Sequence, residues 1–247
     1  MAEIMSFLVI VPARRGSTRL PDKPLEDIGG KPMLVRVLEC AAASGALRVL
    51  AAVDDEVLVN VVRRAGFEAV LTGECDSGSA RVAVAADQCG LLDSDIVVNL
   101  QGDEPFMEPA LVRDVAGLLA RRSDCVCATV ARPLCGTEEF NDPAVVKVIG
   151  DADGTARYFS RAPIPHLREG GVPKMARAHV GLYAYRMAFL RRLLTLSPAP
   201  TELAECLEQL RVLWHGFSIA LLDGDSASFG IDTPADLVRA RARYRAH

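Results

Sequence analysis

The chain of 247 residues lacks an excess of positive charge, a long hydrophobic run and a regular spacing of cysteine and histidine. The net charge of −4 argues against a general nucleic-acid-binding protein. The apolar run at residues 7–11 is too short to cross a membrane and does not have the layout of a signal peptide. The seven cysteines form no Cys-x-x-Cys pair, which argues against a disulfide framework and a zinc site. We therefore expect a soluble, cytoplasmic protein that binds no nucleic acid and has no membrane span.

The first half of the chain alternates between strand and helix patterns. A continuous apolar run at residues 7–11 and mostly apolar runs at 47–53 and 95–100 predict buried parallel strands, and an amphipathic helical pattern follows each of them. A repeated strand-loop-helix order is typical of a parallel sheet with helices on both faces. The sequence therefore predicts an α/β fold with a Rossmann-like, mostly parallel sheet.

The pattern changes from about residue 125. Segments 144–150 and 155–160 flank an Asp-Ala-Asp-Gly turn, which predicts a β-hairpin, and segment 179–185 also has a strand pattern. We predict a single domain over residues 1–247 that carries an antiparallel β insertion at about 130–186. After it we predict a helix over 202–213 with Leu203 on its apolar face, and a closing helix over 233–244 that turns Leu237 and Val238 inward.

A basic loop, residues 12–24, follows the first predicted strand. It reads PARRGSTRLPDKP, and its four cations are Arg14, Arg15, Arg19 and Lys23. Small residues between the cations would let backbone N–H groups approach phosphate oxygens. A solvated basic loop is the alternative. We favour a polyphosphate site, because ligands of α/β folds usually bind directly after the strands of the sheet.

Two acidic motifs could complete such a site. Asp103 follows the strand pattern at 95–100, where a carboxylate would face the ligand crevice and could bind Mg²⁺, although a simple turn explains it equally well. Asp232 precedes a helix that Thr233 should cap; on the residues alone, a favourable interaction with the helix dipole is the simpler interpretation. On chemistry alone, His179 on a strand is more typical of a structural residue, and Glu208 with Gln209 on a helix is more typical of a solvated face.

Six motifs in one order resemble the sugar-acid cytidylyltransferases, and in particular the branch of that family that activates 3-deoxy-manno-octulosonate (Kdo). The likeness spans about residues 6–245. The motifs are PARRGSTRLPDKP, NLQGDEP, Tyr158-Phe159-Ser160-Arg161, His179-Val180-Gly181-Leu182-Tyr183, Glu208-Gln209-Leu210-Arg211 and Gly230-Ile231-Asp232-Thr233-Pro234. The resemblance implies a fold like that of nucleotide-diphospho-sugar transferases. It also implies the reaction of CTP with Kdo, which gives CMP-Kdo and pyrophosphate for lipopolysaccharide biosynthesis.

The resemblance further implies a role for each matching residue. Lys23, Asp103 and Asp232 would carry catalysis, and the two aspartates would bind Mg²⁺. The residues that would bind the nucleotide are Arg14, Ser17, Arg19, Lys23, Ser77, Arg81 and Gln101. The residues that would contact the sugar acid are Arg161, His179, Tyr183, Glu208 and Gln209. No side chain is assigned as a general base.

The sequence departs from the family pattern at a few positions. The family loop usually reads LPGK, but Asp22 stands before Lys23 here, where its carboxylate could repel a triphosphate or pair locally. The segment that usually reads SGTER has Ala80 in place of glutamate. These changes leave two alternatives open: a related sugar acid as substrate, such as an amino-substituted Kdo or a sialic acid, or a nucleotide-binding module without catalysis. The open edges of the predicted insertion, and the dimers typical of the family, predict a homodimer.

Overall fold

The computed structural model describes residues 6–16 and 19–245. The strands are β1 (Leu8–Ala13), β2 (Asp27–Ile28), β3 (Lys31–Pro32), β4 (Arg48–Val53), β5 (Glu68–Leu71), β6 (Ile96–Asn99), β7 (Cys127–Pro133), β8 (Lys147–Gly150), β9 (Ala156–Ser160), β10 (Arg177–Arg186) and β11 (Ile219–Asp223). The helices are α1 (Met33–Ala43), α2 (Glu56–Arg64), α3 (Gly78–Gln88), α4 (Pro109–Arg121), α5 (Thr137–Asn141), α6 (Met187–Leu193), α7 (Pro200–Glu205), α8 (Gln209–Trp214) and α9 (Pro234–Arg245). A short 3-10 helix, Lys23–Leu25, ends the basic loop.

Nine strands form one mixed sheet. Along the main path their order is β11-β7-β10-β6-β1-β4-β5, and β8 and β9 extend from β10. β1 is parallel to β4 and to β6, β4 is parallel to β5, and β7 is parallel to β11. Among these parallel strands, β1, β4 and β6 come from the predicted apolar runs and are largely buried, because helices cover both faces of the sheet. The predicted α/β fold with a mostly parallel sheet is confirmed.

The antiparallel part of the sheet centres on β10. This long strand runs antiparallel to β6 on one side and to β7 on the other. Along its first residues, β8 takes the place of β6 as the neighbour, and the β8–β9 hairpin continues outward from there. The strand pattern at 179–185 therefore belongs to the middle of the main sheet. Its ladder is irregular between Val180 and Tyr183, which re-aims the side chains in this part of the strand.

Helices pack on both faces of the sheet over two apolar clusters. α1, α2 and α4 cover one face, and α3, α6 and α8 cover the other. A third, smaller cluster joins the basic loop to α9 and includes Leu20, Ile28, Ile231 and Leu237. Among the described residues, no helix combines the length and apolar character needed to cross a membrane.

Two helix predictions need correction. The predicted helix over 202–213 is two short helices, α7 and α8, because Cys206 adopts a left-handed conformation (φ 53°) that ends α7. Leu203 is 67% exposed as a result, whereas Leu207, after the break, is buried. In α9, Val238 is also 67% exposed, because the inward face runs through Leu237 and Ala240, three residues apart.

Candidate active site

A cavity of about 330 Å³ lies where β1 and β6 end, next to the first turn of α3. The predicted nucleotide and metal residues that line it are Arg14, Arg19, Lys23, Ser77, Arg81, Gln101, Asp103 and Asp232. Ser17, the remaining predicted nucleotide residue, lies outside the described residues. The carboxyl ends of parallel neighbours such as β1 and β6 are the usual ligand site of an open α/β sheet. We therefore take this cavity as the candidate active site.

Gly102 allows the two strand ends to approach each other at the floor of the cavity. A Cβ atom at this position would lie only 2.7 Å from the carbonyl oxygen of Pro12. The following residue, Asp103, accepts a hydrogen bond at its carbonyl oxygen from the Ile231 N–H (3.0 Å). The Gln-Gly-Asp sequence after β6 thus brings the segment before α9 against the end of β1.

Lys23 joins the two predicted metal ligands. Its ammonium donates to Asp103 Oδ2 (2.7 Å) and to Asp232 Oδ1 (2.8 Å), and only 16% of its side chain is exposed. Burial of the ammonium lowers its pKa, but the charges and hydrogen bonds of the two aspartates more than offset this, so the pKa of Lys23 is raised. Arg19 adds a second cation to the group, 3.1 Å from Asp232 Oδ2. Residues that are far apart in sequence therefore form one charged cluster at the mouth of the cavity.

Local structure leaves the Asp232 carboxylate free to face the cavity. The cap of α9 is made by its neighbours: Thr233 Oγ1 accepts from the Asp236 N–H (3.2 Å), and the Asp236 carboxylate accepts from the Thr233 N–H (2.9 Å). Ile231 is fully buried in the cluster that joins the basic loop to α9. Asp232 is held between a buried anchor and a capped helix, as its sequence context predicts.

The donor set at this cluster fits Mg²⁺. Both carboxylates converge on one ammonium, and the described residues contain no group of three or more His, Cys, Asp or Glu side chains that could bind a metal alone. Mg²⁺ is commonly held by one or two carboxylates together with substrate phosphates and water. Asp103 and Asp232 would supply such a pair.

Asp22 does not pair with its neighbour Lys23. It has a left-handed backbone (φ 50°, ψ 28°), a conformation that glycine adopts freely and that Asp tolerates better than most residues. Its carboxylate accepts from Arg15 Nε (2.7 Å), and this hydrogen bond lowers the pKa of Asp22. Arg15 also contacts Asp55 (3.2 Å). Arg15 and Asp22 therefore hold the basic loop against the turn before α2.

Arg81 lines the cavity but also supports its wall. The guanidinium is buried and donates to Thr72 Oγ1 (2.6 Å) and to the carbonyl oxygen of Gly73 (2.9 Å). Asp54 Oδ2 lies 4.0 Å from it. The side chain thus fixes the loop between β5 and α3, which carries Cys75 and Ser77 into the cavity lining.

His179 and Tyr183 lie side by side on β10, with their ring centroids 5.3 Å apart. His179 Nε2 is 3.0 Å from Thr129 Oγ1, and burial lowers the pKa of His179 to about 3, so the ring is neutral. The buried Tyr183 hydroxyl makes no hydrogen bond of ordinary geometry within the described residues. Tyr183 pairs across the sheet with Asn99, whose side chain accepts from Gln101 Nε2 (3.0 Å). This pair of rings is therefore connected to the cavity floor.

The other predicted sugar residues are Arg161, Glu208 and Gln209, and they do not line the cavity. Arg161 donates to the carbonyl oxygens of Glu205 (2.8 Å) and Pro143 (3.0 Å), so two of its donors already have backbone partners. Glu208 accepts a short hydrogen bond from Ser79 on α3. Gln209 is the first residue of α8. The structure links Glu208 through Ser79 to the first turn of α3 beside the cavity, and holds Arg161 at the end of α7.

Sequence reasoning missed Glu104, which lies beside the charged cluster. Its carboxylate accepts a short hydrogen bond from the Ser228 hydroxyl. Burial, with the charges of Asp103, Glu108 and Asp232 adding to it, raises the pKa of Glu104 to about 7. Glu108 in turn accepts from Ser226 Oγ (2.9 Å). Glu104 belongs to the same NLQGDEP motif as Asp103, and this position in the motif is the one feature of the sequence that could have indicated it.

Comparison with known proteins identifies the family and the fold of the chain. The sequence profile of the cytidylyltransferase family matches residues 8–219. A solved structure of CMP:2-keto-3-deoxy-manno-octonic acid synthetase complexed with CTP is 35% identical, with a TM-score of 0.89, and the match covers 98% of this chain and 99% of that one. A cytidylyltransferase from Leptospira borgpetersenii serovar Hardjo-bovis (strain JB197) shares the fold at 18% identity and a TM-score of 0.64, over 98% of this chain and 88% of that one. The chain belongs to the cytidylyltransferase family.

Proposed function

We propose that the protein transfers the CMP moiety of CTP to the anomeric hydroxyl of Kdo and releases pyrophosphate, as a step of lipopolysaccharide biosynthesis. The observation that supports this most is the cavity itself, in which Lys23 of the basic loop contacts both Asp103 and Asp232. The likeness to a CTP-bound synthetase over nearly the whole of both chains supports the same substrate pair. The product would be CMP-Kdo.

The cavity suits a triphosphate by charge and by shape. Arg14, Arg19 and Lys23 provide cations on one side, and Ser77 caps the first turn of α3 on the other. A helix N-terminus presents unpaired N–H groups, which favour phosphate oxygens. The pyrophosphate leaving group would gain negative charge when the bond between the α-phosphorus and the bridging oxygen breaks. Lys23 and the arginines are placed to stabilise that charge.

Little covalent work falls to the protein in such a reaction. The sugar hydroxyl forms the new bond to the α-phosphorus, and positioning together with charge neutralisation accounts for most of the rate. Mg²⁺ held by Asp103 and Asp232 would polarise the α-phosphate and favour the alkoxide form of the hydroxyl. Lys23 keeps the two carboxylates together, and therefore preserves the site between turnovers.

A panel of sugar acids tests the proposal. Purified protein is incubated with CTP, Mg²⁺ and either Kdo, an amino-substituted Kdo or a sialic acid, and pyrophosphate release is measured. We expect the highest rate with Kdo and CTP, and low rates with the other nucleoside triphosphates. If pyrophosphate release is no higher than in the sugar-free blank for every acid, the proposal is wrong and the protein is a nucleotide-binding module without catalysis. A higher rate with another acid would reassign the substrate.

Asp103→Asn tests the proposed metal ligand. We expect turnover to fall by at least about a hundredfold, because a neutral amide binds Mg²⁺ more weakly than a carboxylate and the metal would no longer be held to neutralise the phosphate charge. Asp124→Asn, a change of the same kind at an exposed surface pair with Arg122, is the control and should keep full activity. Unchanged activity in the Asp103 variant would remove its metal role.

We also propose that the protein acts as a homodimer in the cytoplasm. The outward β8–β9 hairpin offers strand edges of the kind that subunit interfaces cover. Light scattering on the purified full chain should give twice the mass of one chain. A mass equal to one chain at micromolar concentration would refute the dimer.

A further inference from the structure

Three glutamates at a spacing of three residues fix the connection between α7 and α8 to three different parts of the protein. Glu202 pairs with Arg211 through two hydrogen bonds (2.8 and 2.6 Å), which ties α7 to α8. Glu205 accepts from the Ser160 hydroxyl (2.6 Å) at the end of β9. Glu208 reaches Ser79 on α3. The last of these links leads directly toward the nucleotide cavity.

The hydrogen bonds between Glu208 and the cavity have a fixed direction. A carboxylate only accepts, so the single proton of the Ser79 hydroxyl is donated to Glu208. Ser77 Oγ lies 2.8 Å from Ser79 Oγ, and therefore donates to it. Ser77 Oγ itself accepts from the Ala80 N–H (3.1 Å) as the cap of α3. Ser77 lines the cavity, whereas Ser79 is 3% exposed and does not.

Glu208 follows Leu207, which is buried in the same apolar cluster as Tyr183 on β10. Burial raises the pKa of Tyr183 well above its ordinary value, and the negative charge of Glu208 contributes to that shift. One end of the hydrogen-bonded chain is thus in the nucleotide cavity, and the other end is beside the residues that we assign to the sugar acid. Ser79 is the connection between them.

Resting on the proposed function, we infer that Ser79 is a positioning residue that couples the two substrate sites. Phosphate groups in the cavity would order the first turn of α3, and the Ser79 hydroxyl would transmit that order to Glu208. The sugar acid would then bind to a carboxylate that is already held in place. Two ligands that order the same groups strengthen each other's binding, and the effect is reciprocal.

Calorimetric titration of Kdo tests this coupling. The dissociation constant is measured alone and in the presence of a CTP analogue with a methylene group in place of the α,β-bridging oxygen, which cannot release pyrophosphate. For the unmodified chain we expect the analogue to lower the dissociation constant about tenfold. In Ser79→Ala the ratio should approach one, while the affinity for the analogue alone stays unchanged. A ratio in Ser79→Ala equal to that of the unmodified chain would overturn the inference.

Two control variants separate coupling from packing. Ser79→Thr keeps the hydroxyl, and threonine is the residue that the family pattern usually has here, so the ratio should be retained. Ser44→Ala removes another buried serine hydroxyl, which donates to the Ala41 carbonyl oxygen (2.6 Å) at the far end of α1. In Ser44→Ala the ratio of dissociation constants should equal that of the unmodified chain. Loss of coupling in both alanine variants would point to a general effect on packing and overturn the inference.

Hydrogen exchange provides a measurement that depends on neither turnover nor the sugar. Adding the nucleotide analogue alone should slow amide exchange over residues 205–211 in the unmodified chain, and not in Ser79→Ala. If this protection appears but no sugar acid gives turnover, the proposed function is wrong while the link through Ser79 stands. If sugar turnover is normal and protection is equal in both proteins, the link through Ser79 is wrong and the proposed function stands.

Discussion

Lys23→Met removes the ammonium that joins the two carboxylates of the candidate active site. Methionine keeps most of the aliphatic side chain, so the main loss is the ammonium that lies between Asp103 and Asp232. Both carboxylate oxygens lie within 2.8 Å of the Lys23 nitrogen. Without the cation, two like charges would face each other across the mouth of the cavity.

The expected loss of stability follows from the distance between the two carboxylates and from their exposure to solvent. Two oxygens that contact one nitrogen are at most about 5.6 Å apart, and two unit charges at that distance repel by about 3 kcal/mol at an effective dielectric of about 20. The side chains of Asp103 and Asp232 are 26% and 45% exposed, and Arg19 still contacts Asp232, so solvent and this second cation weaken the repulsion. We expect the free energy of unfolding to fall by about 1–2 kcal/mol.

Mg²⁺ should recover part of this loss. The freed carboxylates no longer compete with an ammonium, so the cation should stabilise Lys23→Met more than the unmodified chain. Binding at a concentration about five times the dissociation constant adds about 1 kcal/mol. Urea unfolding with and without MgCl₂, at constant ionic strength, measures both quantities.

A surface lysine provides the control. Lys31→Met breaks the more exposed pair with Glu39 and should change stability by less than about 0.5 kcal/mol, with no specific response to Mg²⁺. If Lys23→Met were as stable as this control, the two carboxylates would not be repelling each other. If Mg²⁺ stabilised both variants equally, the carboxylate pair would not be a metal site.

Three further experiments test the backbone at two positions and the partly buried His179. Asp22→Gly should change the free energy of unfolding by less than about 0.5 kcal/mol, whereas Asp22→Ala should lower it by about 1 kcal/mol, because the backbone at this position has a φ of 50° that alanine disfavours. Urea unfolding measures both values. Equal stability of the two variants would refute a conformational constraint. Gly102→Ala should reduce activity sharply, because the added Cβ would meet the carbonyl oxygen of Pro12. Gly181→Ala is the control: no atom lies within 4 Å of a Cβ added there, so this variant should keep its melting temperature. Normal activity of the Gly102 variant would show that the strand ends can separate. The pKa of His179 is lowered to about 3 in the folded state, so the unfolded state binds an extra proton below about pH 6.5 and the free energy of unfolding falls as the pH drops from there. His179→Gln should remove about 1.4 kcal/mol per pH unit from that slope between pH 6 and pH 4. An unchanged slope would mean that the ring is charged in the folded protein.

The parallel part of the fold was predictable because burial on both faces leaves a clear pattern. The runs that became β1, β4 and β6 are mostly apolar segments, and the structure shifts their ends by at most about two residues. The position of β10 was not predictable in the same way. Its pattern shows a strand, but strand pairing depends on which neighbours are free in three dimensions, and here those neighbours are β6 and β7.

The candidate active site shows a similar division between predictable and unpredictable parts. Asp103 closely follows β6, and Lys23 lies in the loop that follows β1, so the rule that ligands bind at the carboxyl ends of parallel strands places both at one edge of the sheet. Asp232 is 209 residues away from Lys23, and its role rests on the family resemblance because no local pattern marks it. The position of Asp22 was apparent from the sequence, but its effect was not: the left-handed backbone directs its carboxylate to Arg15 and away from Lys23.

The glutamates of the α7–α8 connection show why a helical pattern was misleading in this region. Glu202, Glu205 and Glu208 are spaced by three residues, which on a continuous helix places them near one another on a solvated face. The left-handed turn at Cys206 separates the last of them from the first two, and each carboxylate then finds a partner in a different element. Three charges with specific partners hold a short connection between the sheet and α3 more firmly than its few buried side chains could alone. The break in the helix is therefore what allows Glu208 to reach Ser79, and a variant that restored a continuous helix there should lose this contact first.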